Sequence, residues 1–175
     1  EYLHTGSLHS PAIPVKVFEA ENACNDGAVE IDMVINIGKA LQGDWDYIEE
    51  EIGAVTQKCH ENGAIVKVIF ETDYVTQKED IVKLCEICTK VGADYVKTSS
   101  GFGFVKGDDG KYSYEGATIP NLKLMKESVG PKVKVKAAGG VRSLDGLIAV
   151  QEVGCSRCGA TATVKILEDA KARFE

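Results

Sequence analysis

One aspartate and three lysines are set into aliphatic runs where a charge needs a reason. Asp32 lies between Ile31 and Met33, Lys67 between Val66 and Val68, Lys97 behind Val96, and Lys136 between Val135 and Ala137. A lysine is normally protonated and then no nucleophile. Desolvation and a neighbouring cation both disfavour the ammonium form. The neutral amine attacks a carbonyl to give a Schiff base, whose iminium draws electrons and lets an adjacent C–C bond break or form. A carboxylate such as Asp32 then shuttles protons. The same four residues fit a structural ion network equally well, because such networks also perturb pKa values.

A glycine pair points to a substrate class. Gly139-Gly140-Val141-Arg142-Ser143 follows the Lys136 run and opens a helix, with Ser143 placed as its N-cap. Glycines let backbone N–H groups approach an anion, and a helix start adds partial positive charge. Gly159-Ala160-Thr161 recurs in the same position after the final strand. Two such loops on consecutive strands, beside candidate reactive lysines, suit a sugar phosphate.

These residues must be held by a repeating frame. Strands are expected at 30–36, 64–71, 93–99, 132–138 and 155–161, each rich in β-branched residues. Trp45, Ile48, Ile52, Val55 and Cys59 form one apolar stripe on a helix from about Asp44 to Asn62. Further helical faces run through Ile81–Val91, Ile119–Val129 and Leu144–Val150. Val17–Cys24 suggests a first helix, and Val164, Leu167 and Lys171 a last one. Alternating strand and helix specifies an α/β protein with a parallel sheet. An open doubly wound sheet would bury the strand charges under helices, whereas a barrel turns them inward. The expected fold is therefore a (β/α)8 TIM-type barrel, with residues 1–175 as a single domain.

Composition excludes other classes. The 175 residues carry 20 basic and 27 acidic side chains, a formal charge of −7, which argues against a nucleic-acid partner. No apolar run approaches the length of a membrane span. The start, Glu1-Tyr2-Leu3-His4, has no signal-peptide pattern and reads as the interior of a domain or a processed end. Six cysteines include the pairs Cys85/Cys88 and Cys155/Cys158, formally two zinc half-sites. Their placement on a helical core face and in a strand favours buried free thiols and a reducing cytosol.

The stretches VKVFEAENACNDGAVEIDMVINIGKAL (15–41), KVIFET (67–72), GADYVKTSSGFG (92–103), GATIPNLKLMKESVG (116–130), VKVKAAGGVRS (133–143) and GATATVKILEDA (159–170) resemble deoxyribose-phosphate aldolase, a class I aldolase family. The resemblance runs in family order from Val15 to Ala170. It implies a (β/α)8 barrel that cleaves 2-deoxy-D-ribose 5-phosphate to acetaldehyde and D-glyceraldehyde 3-phosphate in deoxynucleoside catabolism. Carried over by position, it makes Lys97 the Schiff-base nucleophile. Lys136 becomes the second lysine, which tunes its neighbour and positions a proton-relay water, and Asp32 the general acid/base. Gly101, Gly139, Gly140, Arg142, Gly159 and Thr161 match phosphate-loop positions, and Lys67 a supporting inner charge. No metal or cofactor is implied, since the iminium is the electron sink.

The chain departs from that pattern in three ways. The family barrel has eight strands and this chain shows five, with Glu1–Pro14 a poor match to the third. Against a typical barrel of about 250 residues it looks incomplete at the N-terminus, and exposed edges suggest a homo-oligomer. Phe104–Glu115 (FVKGDDGKYSYE) is an insertion turning at Gly107–Gly110, either a lid or subunit contact or a solvated loop. Cys158 stands where the family has an aliphatic residue, a packing substitution. A non-catalytic sugar-phosphate-binding relative, or a lysine-dependent aldolase for another phosphorylated substrate, remains open as an alternative.

Overall fold

The computed structural model describes residues 3–5 and 12–175. Its elements are β1 (Leu3–Thr5), α1 (Ile13–Asn25), β2 (Glu30–Val34), α2 (Ile37–Leu41), α3 (Trp45–Glu61), β3 (Ile65–Ile69), α4 (Lys78–Val91), β4 (Tyr95–Lys97), β5 (Val105–Lys106), β6 (Tyr112–Ser113), α5 (Ile119–Ser128), β7 (Lys134–Ala138), α6 (Leu144–Glu152), β8 (Arg157–Gly159) and α7 (Thr163–Phe174).

The helices follow their apolar stripes. In α3, Ile48, Ile52, Val55 and Cys59 are fully buried, and the Asp44 side chain caps the helix by accepting the Tyr47 N–H. Helix α4 stops at Gly92, whose φ of 80° gives the left-handed cap that only glycine adopts freely. Helix α7 forms where expected, but its buried residue is Ile166; Val164 and Leu167 are 71% and 62% exposed. It follows the edge strand β8 and packs on α6, so the stripe read from spacing meets no sheet.

Six parallel strands pair in the order β1-β2-β3-β4-β7-β8, and the β5–β6 hairpin stands apart. Strand β1, parallel to β2 with Thr5 opposite Met33, is a sixth strand beyond the five expected. Three residues are too few to display alternation in sequence. The rest of the poorly matching N-terminal segment, residues 1, 2 and 6–11, lies outside the described residues.

The sheet is strongly curled. Four strand steps separate β2 from β8, about 19 Å if flat. Even so, the Arg157 guanidinium on β8 hydrogen-bonds the Glu30 carboxylate on β2. A Glu and an Arg side chain cannot span a flat sheet of that width, so both point into a concave interior. The outward faces, including Ile31, Met33, Val66, Val68, Val96, Val135 and Ala137, pack with the helices into the apolar core, which Cys158 joins at its margin. This is the barrel-type α/β fold expected from the inward charges, with β1 and β8 as the sheet's edges. Among the described residues no helix is long and apolar enough to cross a membrane.

Candidate active site

Register determines which inward side chains meet. Asp32 lies opposite Lys67, and Lys67 opposite Tyr95. One pleat nearer the C-terminal mouth, Lys97 lies opposite Lys136, and Lys136 opposite Arg157. Asp32 therefore sits below the two lysines and reaches up to both. Its Oδ2 is 2.8 Å from Lys97 Nζ and 3.7 Å from Lys136 Nζ, while its Oδ1 is 3.2 Å from Lys67 Nζ. Lys67 Nζ is also 2.8 Å from Glu30, the carboxylate that Arg157 holds. All four predicted charged residues thus form one buried cluster.

The cluster sets Lys67, Lys97, Lys136 and Arg157 around Asp32 and Glu30, and these charges shift one another. Burial is the largest single influence on Asp32 and pushes its carboxyl up, but Lys97, Lys136 and Lys67 together outweigh it and hold the group below the usual carboxylate range. The Arg157 hydrogen bond, with help from Lys67, holds Glu30 down at about 2 against its desolvation. Burial and then the Lys97 charge hold Lys136 below the usual lysine value, with Asp32 opposing.

Above the cluster opens a cavity of about 350 Å³. Lys97 and Lys136 form its floor. Its walls include every predicted phosphate-loop residue: Gly101, Gly139, Gly140, Arg142, Gly159 and Thr161. Asp32 and Lys67 do not line it; they lie beneath the lysines, 3% and 0% exposed. Ser143 caps α6 as expected, accepting the Gly146 N–H at 3.1 Å. Helices α6 and α7 both begin at loops that edge the cavity, adding partial positive charge to that wall.

The glycine pair has a second reason beyond an anion cradle. Gly139 and Gly140 have φ of 84° and 78°, and the segment from Tyr114 to Gly116 packs directly on them. A Cβ on Gly116 would come within 2.7 Å of the Gly139 backbone, and Gly139 O accepts the Ala117 N–H at 3.1 Å.

The family model for the DeoC/LacD family aldolase matches residues 1–160, which includes the N-terminal segment read above as a poor match. The chain belongs to the DeoC/LacD aldolase family. It is 48% identical over 157 residues, 90% of its length, to a deoxyribose-phosphate aldolase of Thermococcus gammatolerans, and covers 65% of that protein. It spans a little under two thirds of the length of the first curated relatives it matches. Among solved structures, an aldolase named QR15 superposes with a TM-score of 0.83 at 35% identity, over 98% of this chain and 72% of that one. The tetrameric deoxyribose phosphate aldolase from Aeropyrum pernix superposes with a TM-score of 0.81 at 25% identity, over 99% of this chain and 68% of that one.

Some residues of this aldolase-family site escaped the sequence reading. Glu30 opens a strand and Arg157 sits in a short, glycine-bounded one, so neither stood out as a charge inside an aliphatic run. Glu71 ends the strand expected at 64–71, and no spacing singled it out. It has a φ of 56°, is buried, and accepts the Ser100 N–H at 3.0 Å beside Lys97. Its Oε2 has no hydrogen-bond partner among the described residues, and burial raises its carboxyl pKa. The cysteines are free thiols: Cys85 and Cys88 lie buried on α4, while Cys155 and Cys158 flank the start of β8. Among the described residues no three His, Cys, Asp or Glu side chains stand close enough to hold a metal.

Proposed function

We propose that this chain is a class I aldolase that cleaves 2-deoxy-D-ribose 5-phosphate to acetaldehyde and D-glyceraldehyde 3-phosphate. The observation that carries the reading is that one Asp32 oxygen reaches both Lys97 and Lys136, which floor a cavity whose wall is built from two glycine-containing loops. The matched relatives named deoxyribose-phosphate aldolase support the substrate.

The chemistry begins with Lys97 losing its proton to solvent in the cavity, while Asp32, 2.8 Å away, stays ionised. The free amine adds to the C1 aldehyde of the open-chain sugar and water leaves, forming an iminium. Loss of the C3 hydroxyl proton lets the C2–C3 electron pair flow into the iminium. Glyceraldehyde 3-phosphate departs and an enamine remains on Lys97. Protonation at C2 and hydrolysis release acetaldehyde and restore the lysine. Lys136, more easily deprotonated than an ordinary lysine, is placed to pass protons across the cavity floor. The substrate phosphate meets Arg142 and the Gly139–Gly140 and Gly159–Thr161 loops.

The same reading makes the chain a single domain and a homo-oligomer working in a reducing cytosol. The tetrameric Aeropyrum relative and the exposed Phe18, Val164, Leu167 and Phe174 support self-association, and the free thiols support the compartment. The test is a coupled assay for glyceraldehyde 3-phosphate released from 2-deoxy-D-ribose 5-phosphate. Product formation is expected. Retained binding of the sugar phosphate by calorimetry, without cleavage, would overturn the enzyme assignment in favour of a non-catalytic binder. Cleavage of only a different phosphorylated aldol would overturn the substrate.

A further inference from the structure

The β5–β6 hairpin, an insertion relative to the family pattern, is clasped at both feet by four consecutive residues of the β3–α4 loop. Glu71 accepts the Ser100 N–H and fills the space beside Gly103, where a Cβ would come within 2.5 Å of its Cδ. Thr72 Oγ1 donates to Gly116 O at 3.4 Å. The Asp73 carboxylate accepts the Glu115 and Gly116 N–H groups, the former at 2.5 Å. The Tyr74 hydroxyl donates to Phe104 O at 2.7 Å. Phe104 and Tyr114 then join the two feet edge to face, ring centroids 5.1 Å apart at 82°.

This bracing delivers Tyr114 to a particular place. Its ring lies against Gly139, where a Cβ would come within 3.1 Å of its Cε2. Tyr114 lines the lysine cavity and also a neighbouring cavity of about 400 Å³. Tyr114 therefore borders both. The second cavity presents Thr72, Asp73, Thr76, Ser113, Thr118 and Asn121, and among the described residues no lysine or arginine lines it. Such a lining suits a neutral, hydroxylated chain and repels a phosphate.

We propose that Tyr114 is a specificity-determining residue whose ring ends the substrate cavity and so limits the length of aldehyde that adds to the two-carbon donor on Lys97. The proposal rests on the aldolase reading. In the addition direction, the enamine carbon bonds to the acceptor carbonyl carbon, whose oxygen takes a proton; hydrolysis then frees the product, with no redox partner.

The experiment measures kcat/KM for acetaldehyde addition to D-glyceraldehyde and to D-erythrose, which is one CHOH longer, in wild type and in Tyr114→Phe, Tyr114→Leu and Tyr114→Ala. The erythrose-to-glyceraldehyde ratio should stay within about 2-fold of wild type in Tyr114→Phe and rise in Tyr114→Leu. It should rise by about 10-fold or more in Tyr114→Ala, the scale on which pocket shape discriminates. Asp73→Ala, which frees the returning foot of the hairpin, should shift it the same way. An unchanged ratio in the Leu and Ala variants, or an equal loss with both acceptors, overturns the proposal by reducing Tyr114 to a support for the Gly139 loop. A Phe variant as altered as the Ala variant overturns it too, by assigning the effect to the hydroxyl. Wild type inactive with both acceptors, with no covalent adduct on Lys97, sinks the aldolase reading itself and is distinguishable from these.

Discussion

Among the described residues two lysine–carboxylate sites lie buried, and their surroundings differ. Between α1 and α3, Lys16 Nζ donates to Glu51 Oε1 and to Val34 O, both at 2.6 Å, and Glu51 Oε2 accepts the Asn36 N–H at 2.8 Å. One cation meets one carboxylate, and both carboxylate oxygens are engaged. In the barrel interior, Lys67, Lys97, Lys136 and Arg157 gather around Asp32 and Glu30, and two of the lysines face a cavity. The first site consumes its own charge and pins α1 and α3 to the end of β2. The second turns Lys97 and Lys136 toward a cavity, where an anionic, carbonyl-bearing substrate can meet them. Burial of a charge alone does not mark function; burial at the floor of an opening does.

The sharpest way to break that contrast is to delete one lysine from each site. Lys97→Leu should lower turnover by about 10⁴-fold or more, with the thermal midpoint little changed. Lys16→Met should do the reverse, costing about 3–5 kcal/mol of stability by stranding Glu51, with kcat per folded molecule unchanged. Steady-state kinetics and denaturant titration on both variants decide it; a Lys16 variant that loses kcat while fully folded erases the distinction. Next in size, Asp32→Asn and Lys136→Leu should each cut kcat by about 10²–10⁴-fold, as expected for loss of a proton-transfer group. Activity near wild type in either would remove that residue from the role given.

Smaller effects sharpen the electrostatic side. Glu30 is held at about 2 in the fold against an ordinary glutamate value near 4.3, so its stabilisation is fully present above the ordinary value and is lost as pH falls from there toward 2. Glu30→Gln should flatten that acid limb by lowering stability in the neutral region, with little change at the acid end. Glu71 has the opposite sign: its raised carboxyl makes the fold less stable as pH rises through its folded value. Glu71→Gln should therefore raise the thermal midpoint more at pH 8 than at pH 5. An equal change at both would mean the carboxyl is ionised throughout.

How far these features could be read in advance depended on sequence distance. Asp32, Lys67, Lys97 and Lys136 were legible because each interrupts an aliphatic run, and the alternation rule put them on one face. Helix α3 was legible at both ends, from Asp44 to Asn62, because its stripe and its caps agree. Lys16 and Glu51 were not, since a charge on an amphipathic helix ordinarily faces water, and only the packing of α1 on α3 turns these two inward. The insertion was legible as a turn at Gly107–Gly110, with lid and surface loop undecided. Its anchoring by Asp73 and Tyr74 depends on partners 30 to 43 residues away, which no local pattern encodes.

The most direct measurement is borohydride reduction of the protein in the presence of 2-deoxy-D-ribose 5-phosphate, followed by peptide mass mapping. A reduced adduct on the peptide containing Lys97, abolished in Lys97→Leu, is the expected result. Adduct on Lys136 alone, or none on a folded protein shown to bind the sugar phosphate, would contradict the assignment of Lys97 as the amine that carries the reaction.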